Sequence, residues 1–596
     1  MRQFDRAFFR DFWSIVKPYW WTSDERWLAR VLLAAVVALN LAMVFISYRI
    51  TEWYSTFWNA LQKYDSPGAW HQLLVFAVLV VPYIVAAVYQ TYLTQMIQIR
   101  WRRWLTRRYV GSWLERGTYY QMQVFGDGTD NPDQRISEDL ATFSFQTINL
   151  LIGVISAVTT LAAFVSMLWG LSSHVAIPWH GGRIWIPGYL VWAAAAYAAC
   201  GTVVTAVLGR RLIHLNFDQE RFNADFRFSL VRIRENSESI ALYGGEPRER
   251  EHLLARFTEV FRNFWRIMRR TRRLNWWVSG YGQAAVIFPV LVSLPAYFAR
   301  AIQIGSIMQI SSAFGQVQSA LSFIVNSYSD LASWHAVVDR LRYFHHAMAR
   351  VQAARKEQAR LERVRGPTLR LRGLDVRLPE GRTLIHDLDL DLEAGQRLLV
   401  MGPSGSGKST LLRTLAGIWP FGEGRLEVPD PRGVLFLSQR PYLPLGTIRD
   451  ALLYPLGDPS VTDRQLREVL ADAGLGRLAS SLSEVRAWSL VLSLGEQQRL
   501  AFGRVLLQRP AWLFMDEATS AIDEPMERTL YERLMQTLPG TAVVSVGHRS
   551  SLLGFHDRRL TLDGSGGWRA GAALDGADGS RANSGIRQRR AGPAGD

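Results

Sequence analysis

Apolar positions dominate the first 330 residues, in six long runs near 27–48, 73–93, 148–169, 185–208, 277–298 and 306–328. Each run holds about the 20 helical residues that a hydrocarbon layer of ~30 Å requires. The polar positions between them alternate in character. Arg100, Arg102, Arg103, Arg107, Arg108, Arg116 and Arg135 follow the second run, and fifteen arginines lie between Arg210 and Arg273, after the fourth. The remaining connections carry only Arg49, Lys63, Arg183 and Arg300. Basic loops stay on the cytoplasmic side of a membrane. The pattern therefore predicts an α-helical, six-span transmembrane domain over 27–330, with cytoplasmic loops 96–145 and 209–275 and both termini cytoplasmic. One buried helix of a large soluble core imitates one such run; six with matching charge asymmetry do not.

The two basic loops are too long for structureless connections. Phe222, Phe226, Leu230 and Ile233 recur at helical spacing, so the membrane helices are expected to extend well into the cytoplasm. Residues 235–246 run from a helix into the Gly244-Gly245 turn, which reads either as a docking tip for a soluble domain or as an ordinary helix end. Residues 1–26 are aromatic and of mixed charge, with no apolar core ahead of a small-residue cleavage site. They fit an amphipathic helix on the cytoplasmic membrane face or a tryptophan-rich soluble helix. In the sixth run, Gln309, Ser312, Gln316, Ser319, Asn326 and Ser327 share about a third of the helical circumference, with Ser311 and Gln318 off that stripe. Such a face avoids lipid and meets either neighbouring helices or a water-filled cavity. No Asp, Glu or Lys lies in the core of any run, so no intramembrane proton relay is expected.

Beyond the sixth run the pattern changes. Residues 331–367 read as an arginine-rich helical connector. From Thr368 short apolar runs of strand type alternate with helical segments, at 369–371, 388–390, 398–401, 433–439, 512–515 and 542–548. That alternation predicts an α/β domain over 368–563 with a mostly parallel sheet and ligand groups at the strand C-terminal ends. Residues 564–596 are rich in Gly, Ala, Arg and Asp and are expected to be disordered. The net charge of +16 invites a nucleic-acid partner, but the cytoplasmic arginines account for it. The lone cysteine, Cys200, sits in an apolar run and excludes a disulfide framework.

The chemistry concentrates after the strand at 398–401. Gly402, Pro403, Ser404, Gly405, Ser406, Gly407, Lys408, Ser409 and Thr410 fit the phosphate-loop pattern between a strand and a helix. Glycines allow backbone N–H groups to turn around phosphate oxygens, and the helix N-terminus adds its positive dipole end. Lys408 is expected to reach the β- and γ-phosphates of a nucleoside triphosphate, and Ser409 to hold Mg²⁺.

Further residues carry a family resemblance. The run from Leu492 to Arg499 (LSLGEQQR) resembles the signature of ATP-binding-cassette proteins, with Leu494 in place of the first glycine and Ser493 and Gly495 kept. Gln439 is similar to the family's Q-loop glutamine, Asp516 to its Walker B aspartate and Glu517 to the adjacent catalytic glutamate. Ser520 to Asp523 resembles the D-loop, and His548 the switch histidine. The aromatic residue that stacks on adenine in the family is not evident; Val376-Arg377-Leu378-Pro379 stands there, which bears on adenine preference rather than on ATP use. The resemblance implies an exporter-type half-transporter that works as a homodimer in the bacterial inner membrane with ATP and Mg²⁺. It makes Ser409, Gln439 and Asp516 the Mg²⁺ ligands and Glu517, His548 and Lys408 the catalytic groups. Ser493 and Gly495 then complete the partner's nucleotide site, and Asp523 belongs to the same interface. Residues 131–136 and 235–246 resemble peroxisomal acyl-CoA half-transporters and SbmA/BacA-like bacterial uptake proteins. The match to cassette-fused members of the latter, the mycobacterial cobalamin and hydrophilic-solute importer type, runs nearly the whole chain. Expected cargo is thus a small hydrophilic solute, peptide, peptide antibiotic or cobalamin moved inward; a lipid or acyl-CoA exporter and a non-transporting ATP sensor are the alternatives.

Overall fold

The computed structural model describes residues 6–124, 131–173, 177–179, 182–184, 186–357 and 361–573. The chain divides into two compact units, one of residues 1–111 and 130–345 and the other of 112–129 and 346–596.

The first unit is built from long helices. In chain order they are α1 (Arg6–Lys17), α2 (Arg26–Gln62), α3 (Ser66–Leu114), α4 (Thr118–Val124, assigned to the second unit), the single turn α5 (Pro132–Gln134) and α6 (Leu140–Ser172). A small hairpin of β1 (Ile177–Trp179) and β2 (Gly182–Ile184) precedes α7 (Tyr189–Glu235), α8 (Ser237–Tyr243), α9 (Glu246–Phe298), α10 (Ile304–Asn326) and α11 (Tyr328–Glu357). The expected start of the fourth span, Trp185, lies outside the described residues. The helices α3, α7 and α9 hold 49, 47 and 53 residues. At ~1.5 Å per residue each is over twice the ~30 Å of a hydrocarbon layer. The expected cytoplasmic extensions are therefore continuous with the apolar runs.

Five helical stretches are long and apolar enough to cross a membrane: Arg26–Gln62, Ser66–Val124, Pro132–Ser172, Tyr189–Glu235 and Glu246–Phe298. The expected sixth, α10, is long enough at 23 residues but falls short in apolarity. Its surroundings explain why that polarity is tolerated. Ile310, Ala313, Phe314 and Val317 are buried in one cluster with Phe164 and Leu168 of α6 and Leu190 and Ala194 of α7. A helix enclosed by others has little lipid-facing surface to keep apolar.

The polar stripe of α10 turns partly toward α2. Ser312 Oγ lies 3.0 Å from Thr51 Oγ1, and Gln316 Nε2 donates to Ser47 Oγ at 3.5 Å. Gln309 is buried and Ser319 exposed, while the side chain of Asn326 lies outside the described residues. At the start of α10, Gly305 donates its N–H to Asn59 Oδ1 at 3.0 Å, and a Cβ there would lie 2.1 Å from the Ser55 carbonyl oxygen. Only glycine permits so close an approach to α2.

One buried carboxylate of the unit has two arginine partners. Asp139 is 4% exposed and accepts from Arg135 at 2.6 Å and from both arms of Arg340 at 2.6 and 2.9 Å. Phe8 and Phe12 of α1 stack edge-on against Trp334, so the amphipathic N-terminal helix buries one face against protein. The turn after α8 has Gly244 in the left-handed region as a helix C-cap, with Leu242 and Tyr243 78% and 87% exposed before it.

The second unit starts earlier and ends later than the sequence pattern implies. Strand β3 (Leu361–Arg365), inside the expected connector, pairs in parallel with β7 (Gly422–Val428), which joins β4 (Leu369–Arg377) and β5 (Thr383–Leu392) in a four-stranded sheet. The six-stranded sheet runs β12-β11-β6-β10-β9-β8, with β6 (Arg397–Met401), β8 (Val434–Leu437), β9 (Trp512–Asp516), β10 (Ala542–Val546), β11 (Arg558–Leu562) and β12 (Trp568–Ala572). Thus β12 falls inside the expected disordered tail. The Asp563 carboxylate organises the turn before it, accepting from the Ser565 and Gly567 amides at 2.7 and 2.9 Å. Residues 574–596 lie outside the described residues. Helices α12 (Lys408–Ala416), α13 (Ile448–Leu453), α14 (Asp463–Asp472), α15 (Trp488–Val491), α16 (Leu494–Gln508) and α17 (Glu524–Thr537) complete the unit. Val124, from the first basic loop, packs against the core of these sheets, so 112–129 departs from the expected membrane-domain boundary.

Candidate functional site

The strands β6, β10, β9 and β8 are adjacent and parallel, so their C-terminal ends open along one edge. Each end carries one part of the site. After β6 the phosphate loop turns through Gly402, Gly405 and Gly407 at φ of 148°, 78° and 95°. A Cβ on Gly402 would sit 2.4 Å from the Leu562 carbonyl oxygen, which leaves glycine as the only residue that fits. Pro403 and Ser404 form an exposed rim, while Ser406 and Gly407 are buried. The Ser406 hydroxyl is buried without a hydrogen-bond partner among the described residues, an oxygen set inside a loop whose geometry suits phosphate.

Lys408 opens α12, and its ammonium donates to the carbonyls of Gly402 and Pro403 at 2.9 and 2.8 Å. Burial pushes this ammonium below its ordinary pKa, against the pull of Glu517 and Asp516. Next in the helix, Ser409 donates its hydroxyl to Asp516 Oδ1 at 2.8 Å, and the buried Thr410 carbonyl receives the Thr414 hydroxyl. Burial raises the Asp516 carboxyl above the usual range, opposed by that Ser409 bond. The buried ammonium of Lys408 gains from an anion brought in by a ligand, and the buried carboxylate of Asp516 gains from a cation. Oxygen-only donors such as Ser409 and Asp516 suit Mg²⁺, which takes one or two protein ligands beside nucleotide phosphates. No cluster of three or more His, Cys, Asp or Glu that could hold a metal occurs among the described residues. Ser409 and Asp516 fit Mg²⁺ carried by a nucleotide.

Glu517 follows β9 in the left-handed region, at φ 48°, with its N–H on the Val546 carbonyl at 3.1 Å. Both carboxylate oxygens are engaged. Oε1 lies 2.9 Å from His548 Nε2, two residues beyond β10, and Oε2 accepts from Gln439 Nε2 at 2.9 Å, two residues beyond β8. The Gln439 amide thus reaches Glu517, whereas the sequence assigns it to Mg²⁺ beside Ser409 and Asp516.

The signature residues stand apart from this group within one chain. Ser493 caps α16, exchanging hydrogen bonds with Glu496 in a capping box. Arg477 beside Glu496 holds that carboxyl below its ordinary range. Among the described residues Ser493 has no hydrogen bond to the phosphate loop. Gly495 packs so closely on the D-loop that a Cβ would lie 2.7 Å from the Ala521 carbonyl oxygen, while the neighbouring position accepts Leu494. Asp523 caps α17 without a side-chain bond and is exposed.

One organising residue escaped the sequence analysis. Gln498 is fully buried; its amide donates to the Gln439 carbonyl at 2.9 Å and to Ser520 Oγ at 3.2 Å, and its carbonyl accepts the Ala521 N–H at 2.9 Å. It ties the Q-loop, the signature helix and the D-loop together. Its place one turn into α16, on the face opposite solvent, is the signal that could have found it.

Comparison with known proteins agrees with this geometry. Residues 20–298 match the family described as ABC transporter transmembrane region 2, and residues 385–520 match that described as ABC transporter. A Haemophilus influenzae protein called an uncharacterized ABC transporter ATP-binding protein is 38% identical over 94% of this chain and 93% of its own. The inner membrane ABC transporter ATP-binding protein YddA of Escherichia coli is 31% identical over 91% of this chain and 95% of its own. The human lysosomal cobalamin transporter ABCD4 is 26% identical over 95% and 96%.

Proposed function

The chain belongs to the ABC transporter family, as a membrane-embedded half-transporter whose ATP hydrolysis is coupled to transport, and from that premise we propose how its residues divide the work. Lys408 exchanges the carbonyls of Gly402 and Pro403 for the β- and γ-phosphates of ATP, beside the backbone N–H groups of residues 404–410. Ser409 and Asp516 hold Mg²⁺, which when bound offsets phosphate charge. Glu517, oriented by His548 and Gln439, takes the proton of the attacking water, and His548 contacts the γ-phosphate. Gln439, through its contact with Glu517, couples that step to the Q-loop. Ser493 and Gly495 at the α16 N-terminus complete the nucleotide site of an identical partner chain, with Asp523 at the same interface.

The observation that carries this reading is the Glu517 carboxylate held on both oxygens beside the Ser409–Asp516 pair. Glu517→Gln keeps the geometry and removes the base, so ATP is expected to bind while turnover falls at least ~100-fold. Near-normal turnover of purified Glu517→Gln protein would assign the base to another group.

For cargo, the reading is a hydrophilic solute such as a peptide, a peptide antibiotic or cobalamin, moved into the cytoplasm by alternating access. The likeness to the lysosomal cobalamin transporter ABCD4 supports it. ATP-dependent uptake of cobalamin and of a peptide into oriented vesicles tests it; movement of acyl-CoA alone would overturn it.

A further inference from the structure

The helices α7 and α9 enclose a cleft of about 500 Å³ lined by Arg211, His214 and Leu215 on one side and Arg266, Arg269, Arg270 and Arg273 on the other. Four arginines spaced i, i+3, i+4 and i+7 occupy a single face of α9. Like charges at that spacing destabilise a helix. Elsewhere on the same helices three arginines have carboxylate partners: Arg221 pairs with Asp218, Arg248 with Glu251 and Arg256 with Glu259. Around the cleft that answer is missing. From Phe261 to the end of α9 at Phe298, and from the start of α7 at Tyr189 to Phe217, no acidic residue occurs. Among the described residues none of the five cleft arginines forms an ion pair or a side-chain hydrogen bond.

The cleft is also braced at both ends. On one side the buried Asn263 donates to the Leu215 carbonyl at 2.8 Å and to Gln219 Oε1 at 3.0 Å. On the other, Trp277 donates its indole N–H to Thr205 at 3.1 Å, and Tyr197 stacks on Tyr281. The second brace opens the apolar run of α9, only four residues or ~6 Å along the helix from Arg273. An exposed Trp276 sits at the same level, where tryptophan marks the membrane–water boundary. Cytoplasmic retention of the loop alone requires basic residues on no particular face. Five guanidiniums lining one braced cleft suit a ligand that brings more than one negative charge.

We propose that this cleft binds the headgroup of an anionic phospholipid of the cytoplasmic leaflet, with two phosphodiesters as the best match to its five arginines. The proposal rests on the cytoplasmic placement of the basic loops given above. The test uses the full-length protein in detergent micelles, titrated with diphosphatidylglycerol or phosphatidylcholine, with bound lipid counted by native mass spectrometry. Diphosphatidylglycerol is expected to bind at least ~10-fold more tightly than phosphatidylcholine. The combined variant Arg266→Gln, Arg269→Gln, Arg270→Gln, Arg273→Gln is expected to lose that preference. Arg248→Gln with Arg250→Gln and Arg256→Gln, farther along α9, is expected to keep it. The same four positions changed to lysine retain charge and insertion, and are expected to recover part of the affinity. ATP hydrolysis read on the same samples reports separately on the nucleotide site, so its loss would not be mistaken for loss of lipid. Undiminished lipid preference in the glutamine variant overturns the proposal. So does displacement of the lipid by equimolar inorganic pyrophosphate, which would assign the cleft to a soluble polyphosphate.

Discussion

In the second unit, side chains from four adjacent strand ends converge within hydrogen-bond distance, as Ser409 on Asp516 and Gln439 and His548 on Glu517. In the first unit, polar side chains of the same types meet in pairs between helices instead: Ser312 with Thr51, Gln316 with Ser47, Gln98 with Asn149 and Trp277 with Thr205. Convergence of several groups on one point makes a reactive site. Dispersed pairs fix helix register and are individually worth little. The difference explains why ATP chemistry is well defined in this chain and cargo chemistry is not.

The strongest way to break the comparison is to show that the convergent site is complete within one chain. Lys408→Ala and Ser493→Arg should each lower ATPase activity at least ~100-fold as homodimers, since each disables both sites. In a heterodimer of the two, one site pairs an unaltered phosphate loop with an unaltered signature, and activity should recover to within several-fold of the original. Co-purified, differently tagged chains measure this. No recovery would mean that Ser493 does not act across a dimer.

The next largest effect belongs to the buried Asp139 triad of the first unit. Asp139→Asn leaves Arg135 and Arg340 without their carboxylate, and breaking a buried pair costs about 3 kcal/mol. A clearly lowered thermal midpoint with unchanged nucleotide affinity is expected. A shift below one degree would show that the triad is dispensable.

The pH response sharpens the same contrast. Because the Asp516 carboxyl is raised in the free protein, it takes up its proton at a higher pH than an ordinary aspartate. The charge proposed to hold Mg²⁺ is present above that raised value and is lost as the pH falls through it. The Mg²⁺ concentration for half-maximal hydrolysis should therefore climb on acidification while the pH is still above the usual aspartate range. A requirement that stays flat across that interval would remove Asp516 from the metal site.

Legibility in the sequence follows the same divide. The phosphate loop, the Asp516-Glu517 pair and His548 are readable because each sits in a short segment whose glycines, strand and turn dictate local geometry. Gln498 offered only its helical position, since its partners at Gln439, Ser520 and Ala521 are separated from it by 22 to 59 residues. Nor were β3 and β12, edge strands whose pairing is set by neighbours and not by their own mixed composition. The long helices followed directly from hydropathy. The attachment of residues 112–129 to the second unit did not, because Val124 carries no mark of what it will pack against.

The smallest expected effects fall on α10, where the comparison can be decided most finely. Ser312 and Gln316 face α2, so removing either hydroxyl or amide loses one interhelical hydrogen bond, on the order of 0.6 kcal/mol in membrane proteins. Ser312→Ala and Gln316→Leu should then leave ATP-dependent uptake of cobalamin or peptide within about twofold. Ser319 differs: it shares their stripe but is exposed, and it has no hydrogen bond among the described residues. If part of the stripe lines a water-filled path, it is the part at Ser319, and Ser319→Leu should lower uptake while hydrolysis continues. Lost uptake in Gln316→Leu with unchanged hydrolysis would contradict the packing role drawn from Ser47. Equal, small effects at all three positions would place the whole stripe in helix packing and move the search for the cargo path to other helices.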